Sequence, residues 1–127
     1  MRKILLFLRL WLPVGLWCGA IFYLSSIPNL ATPWGTWDII LRKIAHITEY
    51  GILAFLVWRA IFHSIKINLL KTYAWSGAFS FIYAISDEIH QIFVPTRHGS
   101  ILDILIDGVG IGLMLCFLIV RKRNVDR

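Results

Sequence analysis

Apolar residues run almost unbroken from Ile4 to Leu24 and again from Ile101 to Val120. Each run is long enough to cross a bilayer as a helix, which takes about 20 predominantly apolar residues. Two weaker runs lie between them, Ile44 to Phe62 and Thr72 to Phe93. They are weakened by ionisable residues, His46 and Glu49 in the first and Asp87, Glu88 and His90 in the second. The pattern predicts helices over about 4–24, 44–62, 72–93 and 101–120. The segments between them, Ser25–Trp37, His63–Lys71 and Val94–Ser100, hold Pro28, Asn29, Pro33, Gly35, Lys66, Asn68, Pro95 and Gly99, and read as loops. No internal repeat is visible. Met1-Arg2-Lys3 opens like a signal peptide, but the apolar run behind it is too long for one and no small-residue cleavage site follows. It reads as a retained first span.

Composition sharpens this picture. The 127 residues suit a single domain, 1–127, and are 58% hydrophobic but only 16% charged, whereas soluble domains run at roughly 25% charged. So little polar surface excludes a disordered chain, a disulfide-stapled secreted module and a soluble enzyme. The fold class expected is all-α, a four-helix transmembrane bundle. A net charge of +6 could suggest nucleic acid, but that needs basic residues gathered on one face. Here they flank the apolar runs, so the expected partner is the lipid bilayer and not nucleic acid.

Their distribution also sets an orientation. Arg2, Lys3 and Arg9, then Arg59, Lys66 and Lys71, then Arg121, Lys122, Arg123 and Arg127 fall on one side, against Arg42, Lys43 and Arg97 on the other. The positive-inside rule then puts both termini in the cytoplasm. Cys18 and Cys116 would sit at depths about 15 Å apart at 1.5 Å per residue, too far for a disulfide.

With that orientation the acids gather. Glu49, Asp87, Glu88, Asp103 and Asp107 all fall in the outer halves of three spans, with His46, His90 and His98, and Asp38 just before them. An ionised group at the centre of a spanning helix costs about 2.5–3.5 kcal/mol on insertion scales, so these residues should turn from lipid toward one another. Helical spacing allows it: His46, Glu49 and Tyr50 share one face, as do Ser76, Ser80, Tyr83, Asp87 and His90 or Gln91, and then Asp103, Asp107 and Gly110. Glu88 flanks the second stripe and would meet a neighbouring helix. The expectation is a polar cluster in the extracytoplasmic half, with Arg97, His98 and Ser100 looping over it.

Three chemistries suit such a cluster. It serves as a structural hydrogen-bond network. It holds a divalent metal, with His46, Glu49, Asp87, His90, Asp103 and Asp107 as candidate ligands, the acid–histidine pairs at i, i+3 resembling those of di-metal bundles. Or it is a metal-free acid/base site in which Glu88, His90 or His46 moves protons while Arg42 and Arg97 hold an anionic head group. A serine nucleophile at Ser86 or Ser100 lacks an elbow sequence. A small transporter is a further reading, opposed by the absence of inverted repeats. Gly15/Gly19 and Gly108/Gly112 are small-xxx-small pairs and are expected to let helices approach closely, within the chain or in an oligomer. Trp34 and Trp37 suit an interfacial aromatic belt.

Two blocks resemble the VanZ-like family of small bacterial membrane proteins. Arg42-Lys43-Ile44-Ala45-His46 with Tyr50 is similar to its R-K-x-x-H-x-x-x-Y pattern, and Asp87-Glu88 with Gln91, Phe93, Pro95 and Arg97, then Asp103, Asp107 and Gly110, to its second. The chain departs at Thr96, where the family often has Gly, and at Asp107, where many members have Asn. The resemblance implies a multi-pass protein of the bacterial cell membrane and an association with resistance to teicoplanin, a lipid-bearing glycopeptide. The ligand expected is an envelope molecule such as a lipid head group or lipid-linked precursor. The matched positions make Arg42, His46, Glu49, Tyr50, Asp87, Glu88, Gln91, Arg97, Asp103 and Asp107 the site.

Overall fold

The computed structural model describes residues 1–28 and 32–126, so Asn29 in the first connection and Arg127 in the basic tail lie outside the described residues. The chain forms four helices: α1 (Arg2–Ser26), α2 (Thr36–Ser64), α3 (Leu69–Ile92) and α4 (Ile101–Val125). At 1.5 Å per residue, even the 24 residues of α3 reach about 36 Å, enough for a bilayer core. Three of the helices, α1, α2 and α4, are also apolar enough to cross one. The exception is α3, because Thr72, Ser76, Ser80, Asp87, Glu88 and Gln91 line its buried side.

The largest departure from the sequence pattern is at the start of α2, which begins at Thr36 and not near residue 44. Asp38, Arg42 and Lys43 therefore ride on helix. Gly35 turns the chain in with φ 57°, and Asp38 in the first turn complements the helix dipole and pairs with Arg42 one turn on, 2.7 Å away. Asn68 caps α3 by accepting the Lys71 amide at 2.8 Å. In α1, Pro13 cannot donate to the Arg9 carbonyl, and the Arg59 guanidinium reaches that oxygen instead, 3.5 Å away.

The helices run up-down-up-down. At one end Trp11 Nε1 donates to Ser64 Oγ at 3.1 Å, and the Lys122 ammonium sits 4.9 Å over the Phe62 ring. At the other, Arg97 donates to the Leu24 carbonyl at 3.0 Å and Ser26 bonds His90 at 3.0 Å. The central helix is α2, which packs against each of the others, while α1 lies on α2 and α3 and does not touch α4. Burial is inverted relative to a soluble protein. Leu5, Leu16, Phe22, Ile82, Leu105, Leu113 and Phe117 are exposed, whereas Asp87, Glu88, Gln91 and Asp107 are buried.

The closest helix approach corrects the glycine reading. A Cβ on Gly15, Gly19 or Gly112 would meet nothing within 4 Å, and one on Gly108 only the Phe81 ring. A Cβ on Gly110 would instead collide with the Ile47 backbone, and one on Gly51 would touch the Gly110 carbonyl. The tight crossing is therefore α2 on α4, just below the polar cluster. Gly15 and Gly19 are on α1, which has no contact with α4 to tighten. Cys18 and Cys116 are both free thiols.

Candidate functional site

Three helices do converge on one polar centre, at the end of the bundle that carries the α1–α2 and α3–α4 connections. From α2, His46 Nδ1 lies 2.8 Å from Asp107 Oδ1 of α4. From α3, Gln91 Nε2 donates to Asp87 Oδ2 at 3.1 Å and to Glu88 Oε1 at 3.3 Å. The amide of Ser100, at the start of α4, donates to Glu88 Oε2 at 2.9 Å, so the carboxylate sits at the positive end of that helix. Tyr50 is fully buried at the same level, its hydroxyl without a hydrogen-bond partner among the described residues. One ligand-type atom each from His46, Glu88 and Asp107 lies within 4.8 Å of the others. Glu88 is 2% exposed and Asp107 not at all.

A cleft leads down to this cluster. Its outer part, about 470 Å³, is lined by Asp38, Arg42, Lys43, His46, Gln91, Arg97, His98 and Asp103. A smaller inner cavity, about 130 Å³, is lined by Ser25, Arg42, His46, Glu49, Asp87, Gln91 and Arg97. Arg42, His46, Gln91 and Arg97 border both, so the two are one path with a cationic collar above an acidic floor. Each guanidinium has one anchor within the chain, Arg42 on Asp38 and Arg97 on the Leu24 carbonyl. The Nε–H of each is sheltered from solvent and donates to nothing among the described residues.

The sequence-predicted residues divide accordingly. His46, Glu88, Asp107, Asp87, Gln91 and Tyr50 are together in the interior. Glu49 lines the inner cavity, within electrostatic reach of His46, Asp87, Asp107 and Arg97. Asp103 is half-buried and lines the outer cleft, within electrostatic reach of His46, Glu88 and Asp107. His90 is elsewhere. It faces α1, bonded to Ser26 and stacked on Phe22 with ring centroids 4.4 Å apart. Gln91, one residue on, takes the inward position that spacing alone left open between the two. Trp34 and Trp37 are exposed and cover no part of the cluster.

Sequence reasoning missed what α1 contributes. Its last turn supplies Ser25 and Leu24 to the inner cavity and the carbonyl that anchors Arg97. Deeper in the bundle, Trp17 Nε1 donates to the Glu49 carbonyl at 2.9 Å and Tyr83 to the Cys18 carbonyl at 2.6 Å. The only signal was Ser25-Ser26 closing an apolar run. Gly99 was also missed. A Cβ there would strike the Glu88 carbonyl and Ile92, so glycine is what lets the α3–α4 turn fold onto α3 and present the Ser100 amide.

The family model described as VanZ/LLP1 matches residues 4–122. The chain is also similar to an uncharacterized membrane protein, YwnJ, of Bacillus subtilis (strain 168), with 33% identity over 103 residues. That match takes in 81% of the chain but 64% of the relative, so the chain spans about two thirds of the length of that protein. No solved structure matches.

Proposed function

The chain belongs to the VanZ/LLP1 family of membrane proteins, and from that premise we propose that it recognises the phosphate-bearing head group of a lipid or lipid-linked envelope molecule in the cleft below Arg42 and Arg97. The carrying observation is the pair of sheltered guanidinium Nε–H groups that border both cavities without a partner in the chain. The guanidiniums themselves are half-exposed and reachable from the cleft, a sheltered N–H left unmatched is costly, and a guanidinium fork is suited to phosphate. The surplus of Lys and Arg at the other end of the bundle supports both termini being cytoplasmic, which turns the cleft outward. Reporter fusions at the Pro95–Gly99 turn test that orientation, and a cytoplasmic turn would overturn it.

The head-group reading is tested in nanodiscs with a polyprenyl phosphate against a neutral diacylglycerol. The phosphate lipid binds saturably and in a salt-sensitive manner. Arg42→Ala and Arg97→Ala each weaken it about tenfold, the loss of one charge-assisted bond. Equal binding of both lipids, or Arg variants that fold and bind like the parent, would sink the proposal. Teicoplanin sensitivity of cells with and without the protein is the physiological counterpart, since the family resemblance implies an association with resistance.

A second reading is favoured by one observation, the meeting of Glu88 with the His46–Asp107 pair behind the cleft wall that His46 forms. In it the cleft carries acid/base chemistry on the bound head group, and Glu88→Gln stops turnover while leaving folding and lipid affinity intact. Equal loss of folding returns Glu88 to a structural part.

A further inference from the structure

Three different helices deliver an imidazole and two carboxylates to one point: His46 from α2, Glu88 from α3 and Asp107 from α4, with one donor atom of each inside 4.8 Å. Asp107 is fully shielded from solvent, and its Oδ1 faces His46. Its second oxygen, Oδ2, has no hydrogen-bond partner among the described residues. A buried carboxylate oxygen with nothing to accept from costs free energy. Asp87 Oδ1 is in the same state, but of the two acids only Asp107 stands with His46 and Glu88 in the three-residue cluster. Glu88 is oriented by two donors, the Ser100 amide and Gln91, as carboxylate ligands of metals are by their outer partners. His46 borders both parts of the cleft while Glu88 and Asp107 line neither, so the imidazole is the side on which the cluster meets the cleft.

We propose that His46, Glu88 and Asp107 bind one divalent cation, Zn²⁺ in first place, with the remaining coordination position open to the cleft. The donor set decides the class. One nitrogen with two carboxylates fits Zn²⁺ or Mn²⁺, whereas Ca²⁺ takes 6–8 oxygens and Cu(I) selects sulfur. Of the ligands expected from spacing, Glu49, Asp87, His90 and Asp103 are not in this set, and Glu88 joins it. The site stands independently of the head-group reading, although a cation here would lie beneath the same arginine collar.

The test uses the metal alone. Detergent-purified protein is stripped with chelator and titrated calorimetrically with Zn²⁺ and separately with Mn²⁺, and the ions retained after desalting are counted by elemental analysis. One ion per chain is expected, with affinity falling at least about tenfold in Asp107→Asn and in Glu88→Gln. Asp38→Asn, which removes a carboxylate from the cleft mouth, leaves the titration unchanged. Mn²⁺ bound to the parent shows nitrogen modulation from an imidazole in its electron spin echo, a readout that needs no variant to fold. Any of three results overturns the site: a parent that retains neither ion, folded Asp107→Asn and Glu88→Gln proteins that titrate like it, or bound Mn²⁺ without nitrogen coupling. Arg42→Ala and Arg97→Ala keep the metal titration of the parent, so failure of the metal site and failure of the head-group site are read separately.

Discussion

The two ends of this bundle are built from the same four helices by opposite means. At one end Leu53, Ala54, Val57, Ala60 and Ile61 of α2 pack against Leu10 and Val14 of α1, and Trp58 stacks between Phe62 and Tyr73 with centroids 5.1 and 6.2 Å away. At the other, the interior is Asp87, Glu88, Gln91, His46 and Asp107, held by hydrogen bonds and opened by a cleft. Lipid tails are as apolar as leucine, so the first end gains nothing from escaping water and must cohere through close fit. The second end is expensive to bury. Among the described residues it leaves two carboxylate oxygens, Asp87 Oδ1 and Asp107 Oδ2, unmatched beside the Nε–H groups of Arg42 and Arg97, whereas the first leaves Trp58 Nε1, Arg59 Nε and the Tyr73 hydroxyl but no carboxylate. One end is organised for cohesion, and the other keeps capacity for a ligand.

Where the two ends meet, Gly110 offers the strongest way to break that contrast. It crosses α2 against the Ile47 backbone, next to His46 and one turn from Asp107. Backbone cannot move aside as a side chain can, so Gly110→Ala must part the helices. The expected cost is about 3 kcal/mol, the upper range for overpacking, read as a lowered thermal unfolding midpoint in detergent. It should weaken head-group binding as well, because Arg42, which lines the cleft from α2, shifts with that helix. A variant as stable as the parent would show that the crossing is looser than the structure has it.

Leu53→Ala sharpens the contrast from the other side. Leu53 is fully buried among apolar neighbours, and its truncation leaves a cavity that lipid cannot enter. A loss of about 2 kcal/mol is expected, at the low end for core leucines because the water-transfer part of the effect is missing in a bilayer. Head-group affinity should stay at the parent value. If affinity falls in step with stability, the two ends are one cooperative unit and the division is wrong.

Much of this was legible in the sequence because its signals are local. Apolar runs fix the number of spans, and helical spacing puts His46, Glu49 and Tyr50, and Ser76, Ser80 and Asp87, on common faces. Spacing alone does not rotate a helix about its axis to better than a residue, which is why His90 and Gln91 could not be told apart and Glu88 was placed at the edge of its own cluster. Long-range partners were beyond reach. That Arg97 would anchor on the Leu24 carbonyl depends on where α1 ends against the α3–α4 turn, and nothing near residue 24 announces it. The early start of α2 was hidden because Asp38, Arg42 and Lys43 lower the hydropathy of a segment whose first-turn acid and i, i+4 Asp38–Arg42 pair favour helix.

The smallest effect falls on the turn that closes the polar end, where Thr96 has φ 69°. A β-branched residue is an outlier in that region, and left-handed backbone costs a non-glycine residue about 1–2 kcal/mol. The turn nevertheless closes, with the Arg97 amide donating to the carbonyl of buried Val94 at 3.1 Å. Thr96→Gly removes the strain but frees the unfolded chain by about 0.5–1 kcal/mol and gives up the interaction Thr96 makes. The net expected is a gain of about 0.5 kcal/mol, with Thr96→Ala below the parent because it keeps the positive φ and loses the threonine contact. Since Arg97 is aimed by its bond to Leu24 rather than by Thr96, phosphate-lipid affinity should not change in the glycine variant. A stability gain accompanied by weaker lipid binding would show that the strained turn itself aims the guanidinium, and would move Thr96 from the closure of the polar end into its recognition surface.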